Sequence, residues 1–170
     1  MSRAILAAVT VAGVGLIAAP SAFDPPPLLV WNASASAPLG FYRIEAAGNP
    51  TVGDLVLVAP TADVAALLAE RGTLAPGVPL LKRIAACAGE TVCRMGERIL
   101  IDGQAVAAAR DVDHLGRPLP RWSGCMRLEP GFVFLLNRDA PDSLDGRYFG
   151  PTPVSAVQGR AIPLWTSMER

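Results

Sequence analysis

Glycine, proline and asparagine cut most of this chain into apolar runs too short for helices. "LGFYRIE" (39–45) and "GDLVLVAP" (53–60) are bounded in this way and read as strands. "VPLLKRIAACAG" (78–89) is a strand candidate with a charged pair inside it. "ETVCRMGERILIDGQAVA" (90–107) reads as strands joined by tight turns, with Asp102-Gly103 a strong hairpin signal. "PGFVFLLN" (130–137) is a further strand, and "VQGRAIPLW" (157–165) a closing one. Only "TADVAALLAERG" (61–72) predicts a helix in this part: Thr61 can cap it, Val64, Leu67 and Leu68 share a face, and Gly72 can end it. "DVDHLGRPLPRWSG" (111–124) is a polar, Pro-rich excursion. The fold class expected is mainly antiparallel β with one inserted helix.

The N-terminus follows another rule. Arg3 precedes an uncharged, mostly apolar run from Ala4 to Pro20. That run is at the short end of what spans a bilayer, about 17–25 residues. A basic residue on its N-terminal side favours insertion with the rest of the chain outside. A cleaved signal peptide, cut among the small residues Ala19 to Ala22, is the alternative. Either way residues 1–22 form an anchor or signal segment and residues 23–170 an exported domain, reached through the stiff Pro-rich exit "FDPPPLLVWN". The whole chain has 170 residues, enough for one such domain. A mean hydropathy of +0.36 owes much to Ala and to the N-terminus, and does not indicate a polytopic membrane protein.

With 15 basic and 15 acidic residues there is no basic stripe, so a nucleic-acid partner has no electrostatic support. Three cysteines fit export to an oxidising compartment and allow one disulfide with one thiol left over. There is no CxxC, and His114 is the single histidine, so metal chemistry is poorly supported.

Fourteen of the fifteen basic residues are arginine, and the one lysine, Lys82, sits inside an apolar strand. A GC-rich coding bias explains scarce lysine but not why one persists there. Guanidinium stays protonated in proteins, whereas a desolvated ammonium can be neutral near pH 7 and act as a base. Such a base invites a serine nucleophile within hydrogen-bond reach. "WNASASAPLGFYRI" (31–44) offers Ser34 and Ser36 where Pro38 and Gly40 prevent a regular helix. A Ser–His–Asp arrangement would have to use His114, which lies in the polar excursion; Ser–Lys is the simpler assignment.

These motifs carry a resemblance. "LLKRIAACAGE" (80–90) resembles the lysine box of type I signal peptidases, and "LLNRDAPDSLDGRYFG" (135–150) resembles their C-terminal box, N-R-D-x-S-x-D-S-R-Y-x-G. The serine stretch differs from the leader-peptidase form S-M-x-P-T in having one residue rather than two between Ser36 and Pro38. Its pattern N-x-S-x-S-x-P-x-G-x-Y is similar to the TraF-type conjugative-transfer peptidases of the same superfamily. The resemblance spans Trp31 to Trp165 and implies a β-rich catalytic core on a membrane anchor. It implies Ser36 as nucleophile, Lys82 as general base, and Ser34 as an oxyanion donor beside the Ser36 N–H. Ser143 would orient the lysine, and Asp145 and Arg147 would form a bracing ion pair. Gly146 stands where the family usually has Ser, and Leu135-Leu136 where it has Gly-Asp. The family placement pairs Cys93 with Cys125 and leaves Cys87 free.

The function so implied is a membrane-anchored Ser/Lys endopeptidase, in the inner membrane with its catalytic domain on the periplasmic side. Its substrate would be an exported protein, the pilin of a conjugative transfer or type IV secretion system. The acyl-enzyme would end by hydrolysis or by attack of a substrate amine that cyclises the pilin. No metal or cofactor is required. The alternatives are a housekeeping leader peptidase and an inactive, peptide-binding subunit of the transfer apparatus.

Overall fold

The computed structural model describes residues 2–23 and 28–167. Helix α1 (Arg3–Phe23) covers the N-terminal apolar run. Its side chains are described only as far as Leu16, so at residues 19–22, where a cleavage site would lie, only the backbone is described, and the Pro-rich exit at 24–27 falls outside the described residues. Among the described residues no helix is long and apolar enough to cross a membrane.

The rest is antiparallel β-structure. Strands β1 (Leu29–Asn32), β2 (Leu39–Glu45) and β3 (Leu55–Val58) precede helix α2 (Ala62–Glu70). After it come β4 (Leu80–Ala86), β5 (Thr91–Met95), β6 (Arg98–Ile101), β7 (Gln104–Ala108), β8 (Gly124–Arg127) and β9 (Phe132–Leu135). A short helix α3 (Gly146–Phe149), β10 (Thr152–Pro153), a 3-10 turn (Val154–Ala156) and β11 (Val157–Ser167) follow. One sheet runs β1-β2-β11-β3-β4-β9-β10, and a second runs β7-β6-β5-β8. The closing strand expected from the sequence is therefore an interior one, with β2 on one side and β3 on the other.

Burial explains why the strand signals take two forms. β2 alternates, burying Gly40, Tyr42 and Ile44 while Phe41 and Arg43 face out, as a half-buried strand should. β3 is buried throughout. Leu55 and Leu57 join Tyr42, Ile44 and Leu81 in one core, and Val56 and Val58 join Ile84, Val133 and Leu135 in another. A strand covered on both faces reads as an uninterrupted apolar run. Val92, Ile99, Leu128, Phe134 and Leu136 form a third core beneath the second sheet. Asp102 and Gly103 both have positive φ (47° and 80°), the type I′ signature of the β6–β7 hairpin.

Two local expectations change. Thr61 precedes α2 in extended conformation, but its side chain makes no capping bond; Gly72 does follow the helix, with φ +65°. In addition, β8 and α3 carried no sequence signal. Cys93 and Cys125 are directly opposed across β5 and β8 and form a disulfide, and Cys87 is free and half-buried.

Candidate active site

The loop between β1 and β2 carries both candidate serines. Asn32, at the end of β1 and 7% exposed, ties that loop into a fixed shape. Its Nδ2 donates to the carbonyls of Ser34 (2.9 Å), Ala37 (3.0 Å) and Pro38 (3.0 Å), and its Oδ1 accepts the Ser34 N–H (3.1 Å). The Tyr42 hydroxyl donates to the Pro38 carbonyl at 2.6 Å. Gly40 lies against β11 with φ +147°, where an added Cβ would overlap the Trp165 carbonyl oxygen. The Ser34 and Ser36 hydroxyls are 2.8 Å apart, and the Ser36 N–H donates to Ser34 Oγ at 3.3 Å. The two groups expected to share an oxyanion are thus neighbours, hydrogen-bonded to each other.

Lys82 lies in β4 opposite Val56 and is only 3% exposed. Its ammonium donates to Ser143 Oγ at 2.7 Å. Burial pulls its pKa down from 10.5 to about 8; the Asp145 carboxylate opposes that fall and Arg147 adds to it. Desolvation in an apolar strand disfavours the charged ammonium, as expected for a lysine in such a run.

The segment after β9 supplies the rest. Asp145 caps α3 by accepting the Arg147 N–H at 3.2 Å. The two side chains pair in bidentate fashion, Nε to Oδ1 at 2.9 Å and a terminal nitrogen to Oδ2 at 2.8 Å. Arg147 also donates to the carbonyls of Asn137, Ala140 and Pro141. Both residues are at most 2% exposed. A buried pair so fully hydrogen-bonded meets the conditions under which such a pair is tolerated.

Ser34 and Ser36 thus come together, as do Lys82 and Ser143, and Asp145 and Arg147. No hydrogen bond joins Ser36 to Lys82 among the described residues. Ser36 opens onto a cleft of about 450 Å³ also lined by Pro38, Gly53, Arg83, Asn137 and Asp139. Lys82 lies outside that lining, between Leu81 and the wall residue Arg83. His114 is exposed on the excursion after β7. Sequence reasoning assigned no part to Asn32, Tyr42 or Asn137. All three stand in the quoted boxes, so the signal existed, but nothing in their residue type named the carbonyls they would bind.

Comparison with known proteins identifies the family. The family model described as "Signal peptidase, peptidase S26" matches residues 1–165. The "Conjugal transfer protein TraF" of Agrobacterium fabrum is 38% identical over 147 residues, covering 79% of this chain and 81% of that protein. The "Probable conjugal transfer protein TraF" of Sinorhizobium fredii is 34% identical over 177 residues, covering 95% and 87%. A crystal structure of a signal peptidase I from Enterococcus faecalis, 20% identical, covers 66% of this chain and 96% of its own with a TM-score of 0.39.

Proposed function

The chain belongs to the signal peptidase family, peptidase S26, and we propose that it is a serine endopeptidase working through Ser36 and Lys82. The observation that carries this reading is the chain's one lysine, buried in β4 with its pKa lowered to about 8 and its nitrogen held by Ser143. In the reaction neutral Lys82 takes the Ser36 hydroxyl proton as Oγ attacks the scissile carbonyl carbon. The tetrahedral oxyanion is stabilised by the Ser36 N–H and the Ser34 hydroxyl. Its collapse breaks the C–N bond, and the lysine returns its proton to the leaving amine. Water, or an amine of the substrate itself, then attacks the ester and frees Ser36.

The names of the relatives, conjugal transfer proteins, favour a part in conjugative transfer over the many preproteins of a housekeeping leader peptidase; on this reading the substrate is an exported protein of the pilin class. The reading includes attachment to the inner membrane through the N-terminal segment 1–22, with the domain 23–170 on the periplasmic side. Arg3, the uncharged run after it and a disulfide suited to an oxidising compartment support this. The test is incubation of purified wild type and Ser36→Ala with the candidate pilin precursor, followed by mass spectrometry. Wild type yields a defined product, shortened or shortened and cyclised, and Ser36→Ala yields none.

A second reading, a subunit that binds exported peptides without cutting them, draws on the missing Ser36–Lys82 hydrogen bond. Catalytic hydrogen bonds commonly tighten only when substrate arrives, so this feature weighs less than the buried lysine. Saturable binding of the precursor with no product from wild type would establish it.

A further inference from the structure

One buried side chain meets both halves of the candidate site and has no assigned part. Asn137, 6% exposed, directly follows β9 and Leu136. Its Nδ2 donates to the Ser36 carbonyl at 2.6 Å and to the Leu81 carbonyl at 3.2 Å, and its Oδ1 accepts the Arg83 N–H at 2.9 Å. The amide therefore occupies the hydrogen-bonding edge of β4 on either side of Lys82, doing the work of a main-chain rung where β9 has ended. Its remaining donor reaches across to the serine loop.

The backbone of the same residue is fixed from behind. The Asn137 N–H donates to Asp145 Oδ2 at 3.1 Å, and its carbonyl accepts from Arg147 at 3.0 Å. The buried ion pair, which makes no hydrogen bond to Ser36, thus reaches the serine loop through Asn137. Asn32 and Tyr42 fix the loop's internal shape; Asn137 fixes where that shape sits relative to the lysine strand.

We infer that Asn137 is a positioning residue that sets Ser36 in register with Lys82. This deepens the Ser/Lys reading and rests on it. Only a side chain with both a donor and an acceptor on one rigid amide satisfies two carbonyls and one N–H at once. Aspartate has the same shape and no donor when ionised, so it would set carboxylate oxygen against carbonyl oxygen. A packing role survives that exchange; a positioning role does not.

The experiment uses full-length protein in detergent and compares wild type, Asn137→Asp, Asn137→Ala and Ser36→Ala on a pilin-precursor peptide. Displacement of about 1 Å can cost about 100-fold in rate. Both Asn137 variants are expected to lose kcat on that order, Asp at least as severely as Ala, with KM within about threefold of wild type. In parallel, lysine labelled with 13C at Cε gives one side-chain signal, because the chain has one lysine. Its midpoint should stay near the wild-type value in Asn137→Ala, showing the base intact while turnover is lost. Wild-type kcat in Asn137→Asp, or a lysine midpoint displaced to the ordinary value in Asn137→Ala, overturns the inference. So does failure of both variants to fold, which would make the residue a folding determinant. Undiminished cleavage by Ser36→Ala would instead overturn the Ser/Lys reading itself.

Discussion

At the scale of the residue, Lys82 yields two predictions. With a pKa of about 8, about one molecule in ten carries the free amine at pH 7, against about one in three thousand for an ordinary lysine. kcat/KM should therefore rise with pH along a limb centred near 8. Lys82→Arg should be as inactive as Lys82→Ala, since guanidinium keeps its proton, while His114→Ala keeps nearly full turnover. A pH–rate series with folding checked at each point measures this. The second prediction concerns stability. The folded pKa lies below the unfolded one, so between about pH 8 and 10.5 the unfolded chain holds a proton that the native chain lacks. Native stability contributed by this group is lowest below pH 8 and rises across that window, by about 3 kcal/mol. Denaturant melts of wild type and Lys82→Met at pH 7.5 and 10.5 isolate the effect from tyrosine ionisation, and the difference between the two proteins should change by that amount. Lys82 could be singled out from the sequence because residue type alone distinguishes it. Asn32 and Asn137 could not, because their partners are backbone atoms of segments far along the chain, and any asparagine in a loop looks the same until the fold brings those atoms to it.

At the scale of the element, the segment from β9 to α3 shows how this chain departs from its family's usual residues without losing the ion pair. Leu136, where the family has Asp, is fully buried in the core under the second sheet, and Leu135 is 4% exposed. Gly146, where the family has Ser, opens α3 against the Phe134 ring: an added Cβ would stand 2.6 Å from the Leu135 carbonyl oxygen and 2.7 Å from Phe134 Cε2. The core has taken the space a side chain would need. Gly146→Ser, though it restores the family residue, should destabilise by about 1–3 kcal/mol through overpacking, read as a lower midpoint in urea; Phe134→Leu should relieve part of the loss. The elements legible in the sequence were those with strong punctuation or periodicity, such as β2, α2 and the Asp102-Gly103 hairpin. β8 was illegible because Gly-Cys-Met-Arg has no alternation and is held by pairing with β5. α3 is only four residues long, and it exists because Asp145 caps it, a tertiary commitment rather than a local preference.

At the scale of the whole molecule, a buried arginine ties the second sheet to α3 and to the excursion after β7, and a disulfide steadies that sheet. Arg94 in β5, 1% exposed, donates to the carbonyls of Arg147 (2.7 Å) and Pro120 (3.1 Å) and lies 5.8 Å from the Tyr148 ring centre. Cys93 beside it is bonded to Cys125, 32 residues on. Loop-closure entropy for a crosslink of that span is about 3–4 kcal/mol. The double variant Cys93→Ser/Cys125→Ser should lose stability of that order in equilibrium unfolding, while Cys87→Ser should change it little. The antiparallel class was legible at this scale, since it follows from short punctuated runs; the strand order was not, since it depends on which distant edges meet.

That order has a consequence in time. The hairpin of β1 and β2, which presents Ser36, and strand β4, which carries Lys82, are not neighbours in the sheet; β11 and β3 lie between them. Among the described residues β11 follows every other element along the chain. A nascent polypeptide translated as far as residue 156 already contains Ser34, Ser36, Lys82, Ser143, Asp145 and Arg147, yet lacks the strand on which the hairpin rests. Competence to cut should therefore arrive at one late moment of biosynthesis, and ribosome-bound chains arrested ahead of Val157 should leave a peptide substrate whole. On the Ser/Lys reading, a chain assembled in this order should be unable to act on its neighbours, or on itself, while it is still being made.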